Sequence, residues 1–249
     1  MKTLTKVGVA LSVLLSLGAC SQPANEAPQD YYMFTSFHEP ANEGLRFLYS
    51  ADGIHWDSVP GTWLKPELGD SILRDPSIIV GKDSTFHLVW TLSWRGNTGF
   101  GYARSKDLVH WSDQRRIPAM DSVPSTVNVW APEWFYDDVN DCYMVIYSSC
   151  VPERKFDLGV EEENNNHRLY YVTTRDFETF SAPELLYDPG FSCIDATLVK
   201  RGEQDYVMVL KDNTRPNRNL KVAFAKRPTG PYTAASSPFT GFLVEGPSV

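Results

Sequence analysis

From residue 31 onward the apolar residues fall in short runs broken by Gly, Pro, Asn and Asp. No long stretch repeats apolar positions at helical spacing, so the pattern predicts strands. One motif recurs at the ends of such runs. Tyr49-Ser50-Ala51-Asp52-Gly53-Ile54-His55-Trp56 is followed by Arg104-Ser105-Lys106-Asp107-Leu108-Val109-His110-Trp111. Weaker copies end at Phe180 and Tyr232, and the aromatic ends step by 55, 69 and 52 residues. A period of about 50 residues holding about four strands predicts the blades of a β-propeller. Ser-x-Asp also favours turns by itself, but four ordered copies favour a structural unit.

A second repeat lies between these copies. Arg74-Asp75-Pro76-Ser77, Trp130-Ala131-Pro132-Glu133, Ile194-Asp195-Ala196-Thr197 and Glu245-Gly246-Pro247-Ser248 each open a unit. In the first three an apolar strand follows. Each opening sets a carboxylate near a small residue or proline. The first strand of a propeller blade lines the axis, so these acids are expected to converge in one central cleft.

The first twenty residues have a different character. Lys2 and Lys6 precede an apolar run from Val7 to Leu17, followed by Gly18-Ala19-Cys20. This is the order of a secretory signal, too short for a spanning helix of about 20 residues. Leu17-Gly18-Ala19-Cys20 resembles the bacterial lipobox, which implies lipidation at Cys20. Residues 1–20 are therefore read as a lipoprotein signal, 21–30 as a flexible tether, and 31–249 as the domain. The expected location is the periplasmic or cell-surface side of a membrane, touched only through that anchor.

Composition narrows the function. With 22% charged and 42% hydrophobic residues the chain is an ordinary globular one. Its formal net charge of −8 and lack of a basic stripe argue against nucleic acid. Thirteen per cent of residues are aromatic, which suits strands and sugar binding alike. Cys142 and Cys150 bracket one apolar run, roughly 25 Å long if it is a strand, which no disulfide spans. With Cys193 they are expected to be unpaired core residues, and no spacing suggests zinc.

The four unit openings, in this order and spacing, resemble glycoside hydrolase family 43 over residues 31 to 249. That resemblance implies an all-β, five-bladed propeller and inverting hydrolysis of arabinose- or xylose-containing plant polysaccharides or oligosaccharides. It implies Asp75 as general base, Glu245 as general acid, and Asp195 as the residue that raises and orients the acid. No organic cofactor is expected. In the family a histidine near a central ion lies in a part expected beyond Val249. General chemistry is consistent with those roles: inversion needs two carboxyl groups roughly 6.5–9.5 Å apart, one of them kept protonated by its surroundings.

Sugar-binding candidates follow from the same layout. Trp130 and Trp94 are candidate stacking platforms. Arg74 adjoins the base, Arg168 starts one strand, and Lys211 ends another, so all three are candidates to face the cleft. Glu133 is either a fourth cleft carboxylate or a strand cap. Blade units are assigned to 74–118, 130–188 and 193–235, with 31–64 as the outer part of a last blade. The propeller is thus expected to be incomplete, with about three full blades and parts of the fourth and fifth. Two rival readings remain. One is a retaining, fructan-hydrolase-like propeller, whose Asn-Asp-Pro-Asn motif is not visible near residue 36. The other is a glycan-binding lipoprotein, or inactive fragment, without catalysis.

Overall fold

The computed structural model describes residues 30–248. The signal, Cys20 and nearly all of the tether lie outside the described residues. The chain forms four antiparallel sheets and, apart from two short 3-10 turns, no helix among the described residues. The first sheet holds β1 (Tyr32–Ser36), β2 (Leu45–Ser50) and β3 (Asp57–Leu64). The second holds β4 (Arg74–Val80), β5 (Phe86–Thr91), β6 (Phe100–Ser105) and β7 (Arg115–Ile117). The third holds β8 (Trp130–Asp137), β9 (Cys142–Cys150), β10 (His167–Thr174) and β11 (Glu184–Tyr187). The fourth holds β12 (Cys193–Gly202), β13 (Asp205–Asp212) and β14 (Asn219–Ala225).

The sheets pack face to face through the two sides of their middle strands. Successive strand residues point to opposite faces, and here both faces are covered. On β9, Tyr143, Val145 and Tyr147 enter the core shared with the second sheet. Met144 and Ile146 enter the core shared with the fourth. On β5, Val89 faces the third sheet while Leu88 and Trp90 face the first. This is why Cys142–Cys150 is buried at every position and reads as a continuous apolar run. Cys142, Cys150 and Cys193 are unpaired and buried.

The Ser-x-Asp repeat is a turn with a defined job. In the first copy Ser50 Oγ accepts from the Gly53 N–H, and Asp52 Oδ1 accepts from the N–H groups of Ile54 and His55, both at 2.8 Å. Asp52 Oδ2 lies 2.7 Å from His55 Nδ1. Ser105, Asp107 and His110 repeat the arrangement, and Thr174 and Asp176 repeat its backbone part. The carboxylate satisfies N–H groups that a tight turn leaves without a strand partner.

Two allocations made from sequence change. Residues 31–64 are not merely the outer part of a blade. Their first strand, β1, lines the central cavity with Phe34, Thr35 and Ser36, Phe37 follows just beyond it, and Thr35 Oγ1 donates to the Pro76 carbonyl at 2.6 Å. Its sequence carries no such signal, because it opens without a carboxylate. The unit beginning at 193 also runs past 235. Thr233, Ser236 and Phe239 donate N–H bonds to Phe224, Val222 and Leu220, so this extended segment flanks β14 as an irregular fourth rung.

Candidate active site

The site is built by one backbone device used repeatedly. In β4, β8 and β12 the register slips between Arg74 and Ser77, Trp130 and Glu133, and Ile194 and Thr197. Each slip is a β-bulge, which bends the strand and re-aims side chains. The residues at the bends, Asp75, Ala131 and Asp195, have φ of 48°, 47° and 52°, and Gly246 follows with 64°. Such left-handed backbone is uncommon outside glycine but is more accessible to Asp. Asp75, Ala131, Asp195 and Gly246 are therefore equivalent positions. Glu245 is equivalent to Arg74, Trp130 and Ile194, one residue earlier.

The second strands lock these bends from one sheet to the next. Thr91, Ser148 and Lys211 are equivalent, being paired with Arg74, Trp130 and Ile194. Thr91 Oγ1 accepts from the Ala131 N–H at 2.8 Å and donates to Asp75 Oδ2 at 2.9 Å. Ser148 Oγ accepts from the Asp195 N–H at 3.2 Å. At the third position the hydroxyl is replaced by Lys211, whose ammonium binds Glu245 Oε2 in a short ion pair. Asp195 Oδ2 accepts from the Gly246 N–H at 3.3 Å, so it holds the residue next to Glu245.

These side chains line a cleft of about 530 Å³. Asp75, Asp195 and Glu245 all face it, with Arg74, Trp94, Trp130 and Lys211. Trp94 is 53% exposed, and its ring meets that of Trp130 at 89° with centroids 5.9 Å apart. The Trp130 Nε1–H donates to the Trp94 carbonyl at 2.8 Å. Arg74 stacks over Trp94 at 3.9 Å and pairs with Glu39 at 2.7 Å. Beneath Trp130 lies His167, stacked at 4.5 Å. His167 Nδ1 donates to the Asn165 carbonyl and Nε2 accepts from Asn128, while burial lowers its pKa to about 4, so the ring is neutral. The corner of two indoles is thus braced from behind.

The three carboxylates sit in unequal surroundings. Burial, and then the charge of Asp75, push Asp195 up to about 7, against the pull of Lys211. Burial also raises Asp75, partly offset by Arg74 and the Thr91 hydroxyl, with the Glu245 charge raising it further. Glu245 is held below the usual range by the Lys211 ammonium. Burial and the meeting of like charges thus raise Asp75 and Asp195, while the ion pair with Lys211 lowers Glu245.

Two sequence candidates are placed elsewhere. Arg168 does not reach the cleft. It is 0% exposed and binds Asp188, the Asn166 side chain and the carbonyls of His167 and Asp157. It starts a third strand, which is too far from the axis, and it anchors the loop before it. Glu133 also does not line the cleft. It lies two residues beyond the bend, in a smaller cavity of about 180 Å³ shared with Asp75 and Asp195. The equivalent positions Thr197 and Ser248 donate to its Oε1 at 3.2 and 3.4 Å, and Ser77 also bonds its side chain. One carboxyl among hydroxyls is a poor cation cage, since calcium takes six to eight oxygen ligands. No group of three His, Cys, Asp or Glu side chains is placed to hold a metal among the described residues.

Glu133 predicts a pH effect on stability. Burial pushes its pKa up to about 7, above the ordinary unfolded value. Below the unfolded pKa both states are protonated and nothing is lost. Between the two values the unfolded chain ionises first, so stability falls as pH rises. Glu133→Gln is therefore expected to gain about 3 kcal/mol at pH 8 and almost nothing at pH 4.5. Denaturant unfolding at both pH values measures it, and an equal difference at both would remove the effect.

Several participants carried no sequence signal. Thr91 ends an ordinary apolar strand and Ser148 lies near the end of another, and Glu39, Arg215 and Arg218 sit in loops. Only the strand pairing equates Thr91 and Ser148 with Lys211.

Comparisons with known proteins bear on the family and the fold. A family model described as "Probable glycosyl hydrolase domain", of a group related to glycoside hydrolase family 43, matches residues 28–248. An alpha-L-arabinofuranosidase of Bifidobacterium longum is 32% identical over 90 residues, 34% of this chain and 8% of that protein. The endo-arabinase of Bacteroides thetaiotaomicron superposes with a TM-score of 0.62 at 12% identity, over 85% of this chain and 77% of its own. The galactose-bound exo-beta-1,3-galactanase of Phanerochaete chrysosporium gives 0.58 at 16%, over 83% of this chain and 47% of its own. The chain thus spans about half the length of that galactanase and a small part of the arabinofuranosidase. At these identities the structural likeness is one of fold. The family match covers nearly all of the described domain, and the chain belongs to this family of glycosyl hydrolase domains related to glycoside hydrolase family 43.

Proposed function

We propose that the chain is the catalytic domain of an inverting glycoside hydrolase. Its substrates are plant polysaccharides or oligosaccharides carrying arabinose, xylose or galactose, sugars suggested by the family resemblance and by the names of its relatives. The observation that carries this reading is the meeting of three carboxylates in one cleft walled by two indoles. No organic cofactor enters. Glu245-Gly246-Pro247-Ser248 repeats the openings of β4, β8 and β12 and is read as opening a fifth inner strand. Export and anchoring at Cys20 rest on the lipobox-like sequence.

Asp75 accepts a proton from water as that water attacks the anomeric carbon. Glu245 gives a proton to the glycosidic oxygen as the bond from carbon to that oxygen breaks. Asp195 holds the backbone beside Glu245 and its charge favours the protonated acid. Lys211 must first release Glu245, and a sugar hydroxyl accepting from the ammonium does this. Lys211→Met is then expected to move the alkaline limb of kcat/KM to higher pH, because Glu245 keeps its proton longer without the cation. An unmoved limb would separate Lys211 from the acid.

The deciding experiment is proton NMR of the first product released from aryl arabinofuranoside, xyloside and galactoside. The inverted anomer is expected. A retained anomer would instead support a fructan-hydrolase-like mechanism. The Lys211–Glu245 pair favours one other reading, a glycan-binding domain. Glycan binding by calorimetry without turnover would establish it and overturn catalysis.

A further inference from the structure

We propose that the end of the cleft beside Glu245 binds an acidic sugar, with Arg215 and Arg218 taking its carboxylate or sulfate group on the leaving-group side of the cleaved bond. This rests on the glycosidase reading above and extends it to a substrate class.

Both arginines line the cleft together with Lys211 and Glu245. The other cleft cations have partners: Arg74 has Glu39, and Lys211 has Glu245. Among the described residues, Arg215 and Arg218 have neither an ion pair nor a side-chain hydrogen bond, and Arg218 Nε is buried without a partner. A buried donor left unpaired costs free energy. Arg215 is exposed to solvent and Arg218 is half-buried with its Nε unpaired, so two guanidinium groups in one cleft are open to an anion from outside.

The turn that carries them is well organised. Asp212, almost fully buried, accepts from the Thr214 N–H at 3.0 Å, Lys221 Nζ at 2.7 Å and the Asn217 side chain at 3.4 Å. Its charge is thereby spent inside the turn and is not offered to the arginines. The Arg218 N–H donates to the Thr214 carbonyl at 3.2 Å. The Arg218 carbonyl accepts from the Val244 N–H at 3.3 Å, tying this turn to the residue before Glu245. The turn thus places both arginines in the lining of the cleft that the proposed acid also lines.

Chemistry then selects the ligand. A guanidinium is a planar fork of donors that matches carboxylate and other oxyanions. The rest of the cleft is an aromatic corner suited to a sugar ring. Glu245 protonates the leaving oxygen, so an anion on its side belongs to the leaving group. The Arg218 charge also holds Glu245 down. A bound anion cancels that charge and favours the protonated acid, so an acidic substrate assists its own cleavage.

The test uses the full chain. Galacturonate, its methyl ester, galactose and galactose 6-sulfate are titrated by calorimetry at low and high salt. Galacturonate is expected to bind about tenfold or more tighter than its methyl ester, and salt should weaken it. Arg215→Gln with Arg218→Gln should bring the ratio to about one, and Arg218→Lys should retain part of it. Melting curves confirm that the variants are folded. Preference for the sulfate with none for galacturonate would support the site and name the sulfate ester as its anion. Equal binding of acidic and neutral sugars, or a preference unchanged in the double variant, would overturn the inference and leave the glycosidase reading intact. Acidic-sugar preference without turnover of any glycoside would uphold the site and overturn that reading.

Discussion

Asp75→Asn is expected to lower kcat/KM on a responsive aryl glycoside by about 10²–10⁴-fold, the usual contribution of a positioned general base. The fold should survive, because the amide still accepts from Thr91. The same change removes a negative charge from beside Asp195, whose pKa of about 7 is raised first by burial and then by Asp75. Asp195 should therefore titrate at lower pH in the variant, visible by carboxyl NMR on labelled protein. Rate and titration together test the site as a unit. A merely structural Asp75 would leave the rate within a few-fold of the parent. Loss of rate with an unmoved Asp195 would mean that the carboxylates do not sense each other.

Trp90→Ala is expected to destabilise the domain by about 3–5 kcal/mol, the range for deleting a large buried aromatic. Trp90 is fully buried between the first and second sheets, among Leu45, Phe47, Leu73 and Leu88. Its ring lies over Gly101, its partner on β6, where any added Cβ would strike the indole. The site feels this packing directly, because the next residue is Thr91, which holds Asp75 and the Ala131 backbone. For a domain of this size each kcal/mol lowers Tm by about 2–4 °C. A drop of roughly 6–20 °C in a reversible melt is expected, and Trp90→Phe should recover part of it. A drop under about 3 °C would show that the two sheets are not held by this residue.

Much of the site was legible because its signal is local. The bends of β4, β8 and β12 need a residue that tolerates left-handed backbone at a fixed offset, so Asp75, Ala131 and Asp195 recur beside proline or a small residue. A repeated backbone requirement leaves a repeated sequence. The turns built on Asp52, Asp107 and Asp176 leave one for the same reason. Arg74, Trp94, Trp130 and Lys211 face the cleft because they flank these bends or end the strands paired with them.

The misplaced residues show where local signals stop. Arg168 and Lys211 look alike in sequence, each a cation at a strand end. Lys211 ends a second strand and is paired with Ile194, beside the axis. Arg168 begins a third strand, and the loop from Pro152 to Asn166 folds over it. Glu133 differs from Glu245 by its offset from the bend, which turns it into the cavity below the cleft.

By itself the sequence determined an all-β chain, a unit of about 50 residues, the turn chemistry and the acids that open each unit. These depend on alternation and backbone geometry over a few residues, which composition and spacing record directly. Tertiary structure alone decided that β1 lines the cavity, that Thr91 and Ser148 lock neighbouring sheets, and that Arg168 is buried. It also decided which cations are spent on partners and which, like Arg215 and Arg218, remain unpaired in the cleft. Those properties depend on contacts between residues far apart in the chain, and on the low-dielectric surroundings that such contacts create.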